Sequence, residues 1–231
     1  MRQPGLILPE QGRILRARQA REAGDSGRDP EQICLDLIKF AATGIWPTDQ
    51  PIVLAGKFRL RCAVEPLVSV LRNAPEYSIV WQAAVALASI GSRCATRPLL
   101  GVLRTATSDV AKQAAAYVLR YLADARATTT LCRIVARREE AASVRAEAAE
   151  ALGSAPRRRA QTVEVILNAA MDESPEVRLF AANCLGVWRL TQAIPTLTSL
   201  LDDDTVVGSY GSVSDEARAA LSSIAERNRR P

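Results

Sequence analysis

One pattern recurs five times in a single register along this chain, and it constrains the fold more than any other feature. Counting Ile79, Val110, Val144, Val177 and Val213 as position 0, position +4 is Ala83, Ala114, Ala148, Ala181 and Ala217. Position +8 is Leu87, Val118, Leu152, Leu185 and Leu221. Offsets 0, +4 and +8 fall on one face of a helix with 3.6 residues per turn, so every copy predicts a helix with an apolar stripe. The alanine at the centre of the stripe lets a neighbouring helix approach closely. The copies are spaced by 31, 34, 33 and 36 residues, the length of a two-helix unit and the mark of a solenoid.

A second helix precedes each copy. Ala63, Pro66, Leu67 and Leu71 match Ala95, Pro98, Leu99 and Leu103, with proline near the helix start, where its missing N–H costs least. Weaker matches begin at Ala127, Thr162 and Ala193. Each unit is therefore expected to be helix A, a short turn, helix B, and a short turn to the next unit.

The repeats occupy residues 63–227. Residues 1–28 carry Arg13, Arg16, Arg18 and Arg21 among several prolines and glycines, which fits either a flexible basic arm or a short helix docking on an acidic surface. Asp29 before Pro30 and Glu31 is a helix-start signal. A helix near 30–42 and a short one near 52–61 are expected to make residues 29–62 a cap or degenerate repeat, since terminal repeats are atypical. Residues 228–231 read as a frayed C-terminus.

These segments resemble HEAT repeats, particularly the short, alanine-rich type of bilin-lyase-like proteins. Val144, Arg145, Ala148, Ala149, Ala151, Leu152 and Gly153 carry the likeness, as do Val177, Arg178, Ala181, Ala182, Leu185 and Gly186. The resemblance implies an all-α fold, a right-handed α-solenoid of about five to six helical hairpins. It also implies B helices on a concave surface, and a ladder between A–B turn acids and B-helix arginines. Asp172 with Arg178, and Glu139 or Glu140 with Arg145, are the expected pairs. Val80 and Ala111 replace the arginine in the first two repeats, so the ladder is expected to be partial.

The chain has no histidine, which removes the commonest general base and metal ligand and every Ser–His or Cys–His arrangement. No P-loop is present. Cys34, Cys62, Cys94, Cys132 and Cys184 include no C-x-x-C pair, and most fall at apolar helical positions or helix entries, where free cysteine acts as a small hydrophobe. That favours a reducing compartment, and no apolar run approaches a membrane span, so a cytoplasmic location is expected. Asp202, Asp203 and Asp204 lie in a turn longer than its equivalents; they are weak candidates for a cation, without a recognised loop pattern. No cofactor is called for.

The net charge of +5 comes with 27 arginines among the 30 basic residues, a bias that compositional preference explains as well as an acidic partner does. The face opposite the apolar stripe holds offsets +2, +6 and +9. It supplies the candidate binding residues Trp81, Val85, Lys112, Leu119 and Leu179 for the concave face. Trp81 and Leu179 are either exposed anchors or packed on neighbouring helices. The leading expectation is a non-enzymatic scaffold that holds a peptide or helix of another protein in this groove. One alternative, implied by the resemblance, is a bilin lyase or isomerase subunit. The other is nucleic-acid binding with Trp46, Trp81 and Trp188 as stacking groups, although a nucleic-acid groove needs more lysine and arginine than this one offers.

Overall fold

A computed structural model describes residues 30–43, 51–156 and 159–228. The basic segment 1–28, Trp46 and residues 229–231 lie outside the described residues.

Twelve α-helices follow in order among the described residues. They are α1 (Pro30–Thr43), α2 (Pro51–Lys57), α3 (Val64–Asn73), α4 (Tyr77–Ile90), α5 (Thr96–Thr105) and α6 (Asp109–Leu122). There follow α7 (Thr128–Ala136), α8 (Ala142–Gly153), α9 (Ala160–Ala169), α10 (Pro175–Trp188), α11 (Ile194–Ser199) and α12 (Val213–Asn228). The fold is all-α and of the solenoid class, as the repeat register predicts. Each B helix, α4, α6, α8, α10 or α12, carries one copy of the pattern, and all five alanines at +4 are 0% exposed.

The chain divides into two compact units, one ending at Ala95 and the other beginning at Thr96, a boundary inside the run of repeats. In the first unit α1 packs on α2 and α3, and α2 and α3 both pack on α4. Helix α1 starts at the expected proline and buries Ile33 and Leu37. Gly56 of α2 lies so close to α4 that a Cβ placed on it would come within 2.8 Å of Ala86 Cα. The structure also corrects the cysteine reading, because Cys34 and Cys62 are joined by a disulfide across 28 residues of chain. The two fall on adjacent elements, α1 and the turn into α3, a juxtaposition that spacing alone did not reveal. The cysteines therefore no longer argue for a reducing compartment. No described helix is long and apolar enough to cross a membrane.

In the second unit four hairpins stack, α5 with α6, α7 with α8, α9 with α10 and α11 with α12, and successive B helices pack on one another. An ion-pair ladder links these repeats in a register different from the expected one. Lys112 meets Glu140 at 2.7 Å, Arg145 meets Asp172 at 2.7 Å and Arg178 meets Asp203 at 2.7 Å. Each cation pairs with the carboxylate of the following repeat rather than with the acid of its own A–B turn. Its own turn supplies carbonyl oxygens instead. Arg145 Nη1 donates to Glu140 O at 2.6 Å, and Arg178 Nη1 donates to Asp172 O at 2.8 Å. An arginine at the first turn of a B helix is near its own turn's backbone, while its fork has the reach to span the gap to the next carboxylate.

Candidate functional site

In the second unit α8 and α10 each touch their own A helix and a B helix on either side, so their buried arc is wider than one apolar stripe. Offsets +2 and +9 fall inside that arc. Leu119 is 1% exposed and Leu179 2%, which corrects the expectation that they line an exposed ridge. Lys112 is also withdrawn from the face, since its ammonium is taken by Glu140 in the ladder. Trp188 is fully buried, with Nε1 donating to Gly153 O at 3.2 Å, and is no base-stacking group.

On α4 the accessible strip is at offsets −1, +3, +6 and +10. In α4 these are Ser78, Gln82, Val85 and Ser89, all exposed. Val85 is 50% exposed and Trp81 half-buried beside it. Both line an apolar hollow of about 530 Å³ with Val53, Lys57, Gln82 and Ser89. The hollow exists because α2 is only two turns long and Gly56 brings its backbone against Ala86, leaving the remainder of α4 uncovered. Tyr77, one turn before Trp81, holds its ring 6.0 Å from the indole and is itself exposed.

The same offsets in the second unit carry a different chemistry. Glu147 and Glu150 of α8, Glu176 of α10 and Glu216 of α12 fall there, Glu147 buried and the other three half-buried. Arg120 of α6 forms an ion pair with Glu150 and lies over the rings of Tyr117 at 5.0 Å and Tyr121 at 4.9 Å. Burial, then the neighbouring charge of Glu150, pushes the Glu147 carboxyl up to about 7. Burial also raises Glu150 and Glu176.

The long turn before α12 brings Tyr210 within the influence of these charges. Val206 and Ser212 form an isolated bridge, and Gly208 and Gly211 take positive φ angles of 49° and 95° that permit the reversal. At its tip Tyr210 packs edge-on against Phe180 with ring centroids 5.0 Å apart. The three aspartates of this turn, the weak cation candidates, have separate surroundings. Asp203 accepts from Arg178 and Asp204 from Ser214 Oγ at 2.7 Å, while Asp202 is exposed. Among the described residues no three His, Cys, Asp or Glu side chains group to hold a metal ion.

Comparison with known proteins bears on the scaffold. Residues 129–222 match a family model described as HEAT repeats. A designed armadillo repeat protein, solved in complex with the peptide (KR)4, is similar at a TM-score of 0.51 and 17% identity, covering 91% of this chain and 98% of that one. Computationally designed armadillo repeat proteins for modular peptide recognition give 0.47 and 16%, covering 91% and 98%. The complex of CpcE and CpcF of phycocyanin lyase from Nostoc sp. PCC7120 gives 0.39 and 18%, covering 86% and 94%. No curated protein matches the chain.

Proposed function

We propose that this chain, whose residues 129–222 match HEAT repeats, is a non-enzymatic scaffold holding a segment of another protein against the accessible strip of α4, with Trp81 and Val85 as anchors. The observation that carries the reading is the hollow beside α4. An indole half-covered by its own chain, next to an exposed valine and an exposed tyrosine, is the kind of rigid amphipathic surface that partner side chains fill. Peptide recognition by the designed armadillo repeat protein supports the idea that stacked helical hairpins present such a face. Half-buried Glu150, Glu176 and Glu216 of the second unit weigh against a nucleic-acid groove, since carboxylates repel a phosphate backbone.

The test is a Trp81→Asp, Val85→Asp double variant. It is expected to lose the captured partner while keeping its helical content, since Val85 is exposed and Trp81 only half-buried.

A further inference from the structure

Four carboxylates of the second unit act on one another in turn, and the Arg120 guanidinium lies beside two of them, Glu147 and Glu150. Glu147 is acted on by Glu150 of its own helix, by Arg120 of α6 and by Glu176 of α10, and Glu150 also by Glu216 of α12. Tyr117 of α6 and Tyr210 of the long turn sense the same charges. Arg120 is committed to Glu150, and Glu216 accepts from Asn183 Nδ2 at 2.9 Å. Glu147 stands apart: it is 8% exposed, and its Oε1 has no hydrogen-bond partner. Buried carboxylate oxygens are expensive to leave without a donor, and an unmet one facing a cluster of like charge is where an external donor is missing. The formal charge of the whole chain is +5, so this concentration of negative charge is local and not a property of the surface at large.

We propose that Glu147, Glu150, Glu176 and Glu216 seat a lysine or arginine side chain carried by the partner segment, with Tyr117 and Tyr210 flanking its stem; this rests on the reading of the strip as a protein-binding face. Arg120 already displays the chemistry, with a guanidinium held between a carboxylate and two tyrosine rings. Beside Glu216 a hollow of about 400 Å³, lined in part by Asn183, Val187 and Ala219, gives room for a further side chain of the same segment. An arriving cation stabilises the ionised form of Glu147, whose carboxyl titrates at about 7. Binding is therefore coupled to release of a proton near neutrality and tightens as pH rises.

Fluorescence anisotropy with fluorescein-labelled octa-arginine on the full chain tests this. Glu147→Gln with Glu176→Gln is expected to weaken binding at least tenfold, while Glu65→Gln with Glu164→Gln, two exposed glutamates on A helices, leaves it unchanged. Wild-type binding is expected to tighten from pH 6 to pH 8, and that dependence to flatten in Glu147→Gln. Absence of octa-arginine binding, or equal loss in both double variants, would overturn the cationic seat. If octa-arginine fails while Trp81→Asp, Val85→Asp still abolishes partner capture, the seat is wrong and the scaffold stands. If octa-arginine binds as expected while that variant retains its partner, the Trp81 and Val85 anchors are wrong instead.

Discussion

Arg145 and Asp172 belong to successive repeats and meet at 2.7 Å with side chains only 4% and 6% exposed. Asp172 also accepts the backbone N–H of Ser174 at 2.9 Å, so one carboxylate ties the ladder to the start of the next B helix. Removing one member of a buried pair leaves the other charge without compensation, at a cost of about 3–5 kcal/mol. Asp172→Ala should therefore lower the urea-unfolding free energy by roughly 3 kcal/mol. Asp203→Ala breaks a pair whose side chains are each 18% exposed, and should cost only about 1–2 kcal/mol. Equal losses would show that burial does not grade the ladder.

Gly153 and Gly186 hold the same position in consecutive repeats but face different neighbours. A Cβ on Gly186 would come within 2.8 Å of both Cα and Cβ of Ala220, whereas one on Gly153 meets nothing nearer than 3.7 Å. Gly186→Ala must push α10 away from α12 and should cost about 1–3 kcal/mol. Gly153→Ala should be neutral or stabilising by up to about 1 kcal/mol through helix propensity. Thermal melts of the two variants give the comparison, and a matched pair of melting temperatures would contradict the packing.

The disulfide makes a prediction about thiols. Unreduced protein unfolded in guanidinium should titrate three thiols, those of Cys94, Cys132 and Cys184, and reduction should raise the number to five. Five thiols without reductant would mean that Cys34 and Cys62 are unpaired. Where the bond is present, replacing both by serine should destabilise the first unit by about 2–4 kcal/mol.

Glu147 sets a pH dependence with a definite sign. Its folded carboxyl, at about 7, lies above the ordinary glutamate value, so the folded chain holds a proton that the unfolded chain releases. The stabilisation is fully present below about pH 4.3 and is lost as pH rises to about 7, by on the order of 3 kcal/mol in all. Glu147→Gln keeps the neutral shape, so its stability relative to wild type should increase between pH 5 and pH 8 in urea titrations. A constant difference across that range would contradict the assignment.

The sequence made the hairpins legible because the alanine at +4 tolerates only a close helix contact, and a register repeated five times leaves little choice of helix face. Pro30, Pro66 and Pro98 likewise mark helix starts that the structure keeps. Of the expected face Val85 stays exposed on α4 while Leu119 and Leu179 are buried, and the reason is physical. Treating Val144, Ala148 and Leu152 as the whole buried face ignores the two flanking B helices, which also bury Ala146, Leu119 and Leu179. The ladder's residue types were legible while its register was not, because pairing across 27 residues depends on how one hairpin stacks on the next. The carboxylate cluster escaped for the same reason: Glu147, Glu176 and Glu216 are far apart in sequence and are assembled only by the stack.

The most direct test of the scaffold is to identify a protein captured by the full chain, purify it, and measure its affinity for wild type and for Trp81→Asp, Val85→Asp. The account predicts a loss of at least tenfold with unchanged circular dichroism. Undiminished affinity in a folded double variant would contradict it and remove the hollow beside α4 from the binding face.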